Sequence, residues 1–314
     1  MVSGDKIRTA TGEWAVFQEL GAVPSTMTAC RAILAIFALF DDLTLLQSDC
    51  VRAYVQAELR GTPTFVRLPK AWWPKEWHTF KDPVCRLVKA LYGHPEAGND
   101  WHHHIENELL MLEFNMVEGW PSIYVKNFEN NKRVVFVLYV DDLVMLGPSE
   151  LIPLIATLRE KIKMEEPSDL YKYLGCFHYF AEERLNGARI MTVQFGMAEF
   201  FRSACDIFME ETGERLRGAP TPFVPDIRQE DMDALMSKPG KYASRAASYI
   251  MKIMYGARMA MPQICVAVSM LSSQISRWTA DSDRRLLRLY NSLYHKVLTR
   301  VIWFADTGIM HSTA

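Results

Sequence analysis

Two adjacent acids, Asp141 and Asp142, are the residues of this chain most suited to chemistry. They lie between two apolar runs, residues 134–138 and residues 143–147, which predicts two β-strands joined by a tight turn. That turn would carry both carboxylates, and two like charges at the tip of a buried hairpin favour a bound cation. The alternative is a turn exposed to water, because aspartate is a common turn residue.

A third acid, Asp49, ends another short apolar segment, residues 43–49. A carboxylate at the end of one strand can meet a carboxylate pair at the tip of a neighbouring hairpin. Three such oxygen donors suit magnesium or manganese better than zinc. Two of these ions close together stabilise the attacking and leaving oxygens of phosphoryl transfer. The alternative role of Asp49 is that of a cap at the end of a strand.

The elements that would position these acids follow from spacing and punctuation. Ser25 and Thr26 predict the start of a helix that runs to about Phe40, ahead of the strand that ends at Asp49. Further helices and strands are predicted from periodicity. The helices are residues 95–114, 151–162 and 195–210, and the strands are residues 64–68, 122–126 and 132–146. A second hairpin is predicted from residues 171–180 and 189–193, with Asn186-Gly187 at its turn.

Proline and glycine punctuate residues 212–239, which predicts a linker between residues 1–211 and a basic helical region, residues 240–314. Residues 238–300 contain 11 Lys or Arg against two acids. Such a surface can bind a phosphate backbone. The alternative is an ordinary solvated helix face formed by Arg284, Arg285 and Arg288.

Composition places the chain among folded proteins, since 49% of its 314 residues are hydrophobic and 23% are charged, with a net charge of −2. Six scattered cysteines without a close pair favour reduced thiols in an intracellular protein, cytoplasmic or nuclear, over a zinc knuckle or a disulfide framework. No signal peptide follows Met1, and the apolar run of residues 32–40 is too short to span a bilayer. No membrane partner is therefore expected.

Three motifs in a fixed order resemble the reverse transcriptase of copia-type retrotransposons, over residues 15–305. They are Asp49-x-x-x-Ala53-Tyr54, then Val84-Cys85-Arg86-Leu87-x-Lys89-Ala90-Leu91-Tyr92-Gly93 with Trp101 downstream, then Tyr139-Val140-Asp141-Asp142. The resemblance implies an α+β fold: a palm of antiparallel sheet and packed helices with partial fingers, then a helical region like a thumb and connection. Residues 301–306 resemble the entrance to a ribonuclease H domain, whose acids do not follow.

The resemblance also implies roles for single residues. Asp49 and Asp141 would bind two magnesium ions, manganese being possible, while Asp142 would support the second carboxylate position and the backbone carbonyl of Cys50 would add a ligand. The nucleotide would be bound by Cys50, Val51, Arg52, Ala53, Tyr54 and Glu96. Tyr54 would stack beneath the incoming sugar and exclude a 2′ hydroxyl. Alternatively, Tyr54 is only a buried ring that packs beside Ala53.

The chain departs from the family pattern in two places. Glu96 stands where the family has glutamine, and Pro95 and Asn99 stand where it has lysine and arginine. Positive charge is thereby lost beside the expected triphosphate. The first 30 residues supply only Lys6 and Arg8, so the fingers are expected to be partial.

The function implied is that of an RNA-directed DNA polymerase, which extends a primer on an RNA or DNA template with deoxynucleoside triphosphates (dNTPs). Integrase and ribonuclease H segments of a Pol polyprotein are expected as partners outside this sequence. One alternative is an inert retrotransposon remnant that keeps the palm fold and binds nucleic acid. Another is a structural or interaction protein that retains only the topology.

Overall fold

The computed structural model describes residues 7–9, 11–13, 15, 23–185, 188–296 and 301–306. The chain divides into two compact units, residues 1–170 (unit 1) and residues 171–314 (unit 2). Each unit combines helices with antiparallel strands, so the fold class is α+β, as the sequence predicts. The division follows Leu170, whereas the sequence predicts a boundary after residue 211.

Unit 1 alternates strands and helices along the chain. In order, its regular elements are α1 (Met27–Leu39), β1 (Leu43–Asp49), β2 (Phe65–Val66), β3 (Cys85–Arg86), α2 (Ala97–Met111), β4 (Asn115–Met116), β5 (Ile123–Asn127), β6 (Arg133–Tyr139), β7 (Asp142–Pro148), α3 (Leu154–Lys161) and β8 (Ser168–Asp169). The long strands match the predicted segments. The strand predicted at residues 64–68 is reduced to the two residues of β2, which pair with β3.

The main sheet of unit 1 has the strand order β4-β5-β6-β7-β1-β8 and is antiparallel. Alternate residues of its central strands point to one face, where they are buried against α2 and α3. The largest buried side chains there are Trp101, Ile105, Leu109, Phe114, Tyr124, Phe136, Met145 and Leu158. Each contributes about 1.5–3 kcal/mol by leaving water, so this face fixes the register of the strands.

The first helix begins where the sequence predicts. The hydroxyl of Thr26 accepts a hydrogen bond from the backbone N–H of Ala29 at 3.1 Å, which satisfies one of the free amides at the start of α1. Ile33 and Leu34 are buried on one side of this helix. The helix ends at Leu39, immediately ahead of the strand that carries Asp49.

Unit 2 contains a second antiparallel sheet, of order β12-β11-β10-β9, and a group of helices. Its regular elements are β9 (Lys172–Tyr173), β10 (Cys176–Leu185), β11 (Ala188–Gly196), α4 (Ala198–Thr212), α5 (Gln229–Met236), α6 (Ala246–Ala260), α7 (Cys265–Ser272), α8 (Ala280–Lys296) and β12 (Val301–Asp306). The rings of Phe208 and Tyr290 stack at 4.1 Å between α4 and α8.

The second hairpin is present as β10 and β11, but the predicted turn residues 186–187 lie outside the described part of the chain. The prediction that a helix begins at Phe195 is wrong. Phe195 pairs with Val301 in the sheet, and α4 begins at Ala198. Pairing of β11 with both β10 and β12 continues through Phe195, and this tertiary pairing overrides the local helical signal.

The segment predicted as a linker, residues 212–239, includes a helix, α5, and is bonded to other parts of unit 2. The backbone N–H of Arg217 donates to Asn291 Oδ1 at 2.8 Å. Arg288 Nε donates to the carbonyl of Thr221 at 2.9 Å. The prolines and glycines here therefore mark turns of a packed segment, because its backbone groups are satisfied by α8.

Several basic residues of unit 2 have acidic partners within the unit. Arg284 and Arg285 both bind Asp281, at 2.9 and 2.5 Å. Arg245 binds Glu211 and Lys241 binds Glu214, two acids in the segment around residue 212. These pairs account for part of the positive excess that the sequence shows in residues 238–300. The remaining expectation, binding of a phosphate backbone, stays a prediction.

The six cysteines are all free thiols. Among the helices that the structure describes, none combines the length and the apolar character needed to cross a bilayer.

The stability of unit 2 is expected to fall in mild acid because of His178. Burial lowers the pKa of this imidazole to about 4, and the backbone of Cys176 opposes the shift only in part. The unfolded chain therefore binds the proton first, so stability is full above about pH 6.5 and declines as pH falls to about 4, by roughly 3 kcal/mol. Urea unfolding at pH 7 and pH 5 measures this.

A His178→Phe variant serves as the control, because a phenyl ring can keep the edge-on contact with Phe195 at 5.2 Å. This variant should unfold with a smaller difference between pH 7 and pH 5 than the wild-type chain. Equal pH dependence in the two proteins would show that His178 is not the group responsible.

Candidate active site

The two acids of the first hairpin lie at a two-residue turn. Tyr139 pairs with Asp142, so Val140 and Asp141 form the turn between β6 and β7. Val140 has a φ of 61°, in the left-handed region that branched side chains rarely adopt. This conformation costs about 1–2 kcal/mol, which the neighbouring structure must offset.

Trp101 supplies part of that support. Its indole Nε1–H donates to the backbone carbonyl of Val140 at 2.6 Å, and its ring is almost fully buried in α2. The turn is thus held by a side chain on a rigid helix rather than by its own sequence. Helical spacing identifies Trp101 as a core residue, but nothing in that spacing indicates its bond to the acidic turn.

Replacing Trp101 with phenylalanine should loosen the turn. The variant keeps most of the packing but loses the N–H donor, and we expect a loss of about 1–2 kcal/mol of unfolding free energy. The amide of Cys50, which donates to the carbonyl of Asp141 at 2.9 Å, should exchange faster with deuterium. Hydrogen-exchange mass spectrometry and urea unfolding measure the two effects.

Trp73→Phe is the matched control, since Trp73 also donates its indole N–H to a carbonyl, that of Leu68 at 2.9 Å. This variant should leave exchange at Cys50 unchanged. If Trp101→Phe also left it unchanged, the indole would not be what holds the turn.

Asp49 meets the hairpin through strand pairing. Strand β1 pairs with β7 along its whole length, from Leu43 opposite Pro148 to Asp49 opposite Asp142. The backbone N–H of Cys50 then donates to the carbonyl of Asp141. The three acids that the sequence singles out are therefore adjacent. Asp49 ends β1, Asp142 begins the neighbouring strand β7, and Asp141 lies in the turn just before β7.

The three carboxylates repel one another. Burial raises the pKa of Asp142 to about 6, and the charges of Asp141 and Asp49 add to the shift. Burial also raises the pKa of Asp49, with further contributions from Asp141 and Glu165. The Cys50 thiol is buried beside all three acids, which raises its pKa to about 12 and keeps it protonated.

Whether this group could hold a metal depends on its donors and their arrangement. In the described part of the chain, no set of three or more His, Cys, Asp or Glu side chains is arranged to hold a metal ion as it stands. The donor chemistry nevertheless fits a hard divalent cation, since all three groups are carboxylates. Burial is the main cause of the raised pKa values of Asp49 and Asp142, and a cation among the three acids would offset the repulsion that adds to it.

A fourth acid, Glu165, lies beside Asp49. Its backbone N–H donates to the carbonyl of Asp49 at 2.8 Å, and Ser48 Oγ donates to its carbonyl at 2.8 Å. The adjacent Lys163 carbonyl accepts from the N–H of Val51 at 2.9 Å. Sequence reasoning did not single out Glu165, because a single acid in a charged stretch carries no recognisable pattern.

The predicted nucleotide-binding residues that follow Asp49 form a compact turn. Arg52 is left-handed, with φ 52° and ψ 50°, and Ala53–Gln56 form a short 3-10 helix. Ala53 is fully buried and Tyr54 is half-buried against the core. The ring of Tyr92 lies 4.5 Å from that of Tyr54. Tyr92 belongs to a motif that the sequence shows, but sequence reasoning gave it no role.

Glu96, the remaining predicted nucleotide-binding residue, precedes α2 and borders a small cavity of about 200 Å³. Gly61 lies against it with a φ of 77°, and a Cβ added there would stand 3.1 Å from Glu96 Oε2. The cavity is lined by Arg60, Gly61, Glu96, Asn99, Asp100 and His103. Asp49, Asp141 and Asp142 are not among these lining residues.

Comparisons with known proteins identify the family of the chain. A family model described as "Reverse transcriptase (RNA-dependent DNA polymerase)" matches residues 17–196, more than half of the 314-residue chain. The chain is 29% identical over 161 residues to the retrovirus-related Pol polyprotein from transposon TNT 1-94 of Nicotiana tabacum, over 51% of this chain and 12% of that protein. It is 27% identical over 151 residues to the Pol polyprotein from transposon RE1 of Arabidopsis thaliana, over 47% of this chain and 10% of that protein.

A third relative, the Pol polyprotein from transposon RE2 of Arabidopsis thaliana, is 26% identical over 151 residues, which are 47% of this chain and 10% of that protein. The aligned part of the chain is thus about a tenth of the length of these relatives. The expected resemblance is confirmed for residues 17–196, and beyond residue 196 it stays a prediction. The chain belongs to the reverse transcriptase family, among the relatives of Pol polyproteins from copia-type retrotransposons.

Proposed function

We propose that this chain carries the nucleotidyltransferase site of an RNA-directed DNA polymerase, which adds dNTPs to the 3′ end of a primer. The pairing of Asp49 with Asp142, next to the turn at Asp141, supports this proposal. It brings together three acids that are distant in sequence, in a protein of the reverse transcriptase family. The family-like roles of residues 1–211 as palm and partial fingers, and of residues 240–314 as thumb and connection, are part of the proposal.

Asp49 and Asp141 would hold two magnesium ions, and manganese could replace them. The backbone carbonyl of Cys50 would add an oxygen, and Asp142 would add negative charge beside the pair. When bound, the cations lower the pKa of the primer hydroxyl and neutralise charge on the departing pyrophosphate. The acids themselves contribute position, because strand pairing and Trp101 fix the turn before any ligand arrives.

The residues that follow Asp49 would receive the incoming nucleotide. The turn formed by Cys50, Val51, Arg52, Ala53 and Tyr54 lies directly beside the acids. Burial is the main cause that raises the pKa of the Tyr54 phenol, and the charge of Asp141 raises it further. Tyr54 would stop a 2′ hydroxyl from entering, so that deoxyribonucleotides are preferred. Glu96 has the least support as a nucleotide contact, since it faces a different cavity.

A second candidate function is that of an inert member of the family that keeps the fold and binds nucleic acid. Two observations favour it. Negative charge stands at Glu96 where the family has glutamine, and the acids are not arranged as a ready cation site in the described residues. A structural or interaction role that needs only the topology is a third candidate.

The polymerase proposal also includes an intracellular location, a template with its primer, and the integrase and ribonuclease H segments of a polyprotein as partners.

Primer extension by the purified chain decides between these functions. With an RNA template, a DNA primer, dNTPs and magnesium, we expect template-directed extension that stops when the cation is chelated. Gel-shift binding of the same template and primer without any extension would instead favour the inert family member. If the chain neither bound nor extended the primer, only the structural role would remain.

A further inference from the structure

The chain returns to the site after a long excursion from residue 59 to residue 88. The N–H of Leu59 donates to the carbonyl of Val88 at 2.9 Å, and the N–H of Ala90 donates to the carbonyl of Ala57 at 3.1 Å. Lys89 Nζ donates to the carbonyl of Gln56 at 2.8 Å. These bonds place the residues after Ala90 beside the short 3-10 helix that carries Tyr54.

A tight turn then directs Tyr92 back over that helix. The N–H of His94 donates to the carbonyl of Leu91 at 2.9 Å, so Tyr92 and Gly93 are the central residues of the turn. Gly93 has a φ of 92°, which only glycine adopts easily at the third position of such a turn. The backbone thus fixes the direction in which the Tyr92 side chain leaves.

Tyr92 contacts Tyr54 through its ring. The two rings lie 4.5 Å apart at an angle of 44°, a close aromatic pair. Because the turn at Gly93 fixes the position of Tyr92, its ring supports the ring of Tyr54.

We propose that Tyr92 is a positioning residue that holds Tyr54 in place for discrimination between deoxyribonucleotides and ribonucleotides. This inference rests on the proposed polymerase function. A ring excludes a hydroxyl group only if it cannot move aside, and Tyr54 is itself only half-buried against the core. Tyr92 supplies a further restraint through its ring, whose position the turn at Gly93 fixes.

Single-nucleotide incorporation by wild type, Tyr92→Phe and Tyr92→Ala tests the inference. The readout is the ratio of kcat/KM for a dNTP to kcat/KM for the matching ribonucleotide. Tyr92→Ala removes the ring that contacts Tyr54, so we expect the ratio to fall about fivefold, the value of one aromatic pair. Tyr92→Phe keeps the ring, so its ratio should stay close to that of wild type.

His78→Ala is the matched control. The ring of His78 lies 5.9 Å from that of Trp73, so this variant also loses an aromatic pair. It should leave the ratio unchanged. An unchanged ratio in Tyr92→Ala would overturn the inference, because a residue that only stabilises the fold would alter overall activity and not selectivity.

Hydrogen exchange provides a readout that does not need activity. The amide of Ala57, which donates to the carbonyl of Tyr54 at 3.1 Å, should exchange faster in Tyr92→Ala than in wild type, and at the wild-type rate in His78→Ala. Unchanged exchange in Tyr92→Ala would overturn the restraint itself. If wild type incorporated no nucleotide at all, the proposed function would fail and the discrimination role with it, whereas faster exchange would still establish the restraint on Tyr54.

Discussion

Asp141→Asn is expected to lower primer extension about a thousandfold or more while the protein remains folded. The substitution keeps the size of the side chain but removes a charge at the turn of the acidic hairpin. A group that stabilises developing charge in a transition state is worth on the order of a hundred- to a thousandfold in rate, and loss of a metal ligand costs at least as much. Single-nucleotide incorporation at saturating magnesium measures the loss.

The same variant has a second, independent readout in its thermal stability. Without metal, Asp141→Asn should be at least as stable as wild type, because one of the mutually repelling charges is gone. Magnesium should raise the melting temperature of the wild-type chain by about 2–4 °C and that of the variant by much less. Differential scanning fluorimetry with and without magnesium measures both.

Asp169→Asn is the matched control. Asp169 is an exposed acid on β8, an edge strand of the same sheet, where it pairs with Leu46 of β1. It should keep both wild-type activity and the magnesium shift. Full metal-dependent activity in Asp141→Asn would sink the assignment of the acidic hairpin.

Tyr54→Val is expected to have the second largest effect, a gain in ribonucleotide use of about tenfold to a hundredfold relative to dNTPs. A valine leaves space where the ring of Tyr54 stands, and a 2′ hydroxyl can then enter. The effect should appear mainly in KM for the ribonucleotide, because the acids that we propose as cation ligands are untouched. Steady-state incorporation of a matched dNTP and ribonucleotide measures it.

Tyr54→Phe is the control for this prediction. It keeps the ring and removes only the hydroxyl, so selectivity should stay close to that of wild type. If Tyr54→Val gained no ribonucleotide incorporation, Tyr54 would be a packing residue beside Ala53, the alternative that the sequence also allows.

The acidic hairpin could be predicted from the sequence because its signals are local. Short apolar runs on both sides of Asp141 and Asp142 specify two strands, and a strand that ends at Asp49 is visible in the same way. The capped start of α1 at Thr26 is equally local. Such features depend on residues within about ten positions, where period and turn chemistry are informative.

The remaining parts of the site depend on residues that meet only after folding. Glu165 reaches Asp49 through backbone pairing although most strands and helices of unit 1 lie between them in the chain, and Tyr92 reaches Tyr54 through the bonds at residues 57–59 and 88–90. Neither contact leaves a local pattern. The helix wrongly predicted to begin at Phe195 fails for the same reason, since its first residues pair with a strand that lies far ahead in the chain.

Strands β1 and β7 pair at seven positions, so the register that buries their hydrophobic residues also determines that Asp49 lies opposite Asp142. Inserting or deleting one residue anywhere in β1 would exchange its inward and outward faces, so that a neighbour such as Ser48 would take the place of Asp49. Both the hydrophobic packing of the strand and the position of its terminal acid would then be lost. Evolution can consequently vary the loops around this sheet in length but has almost no latitude within the strand itself.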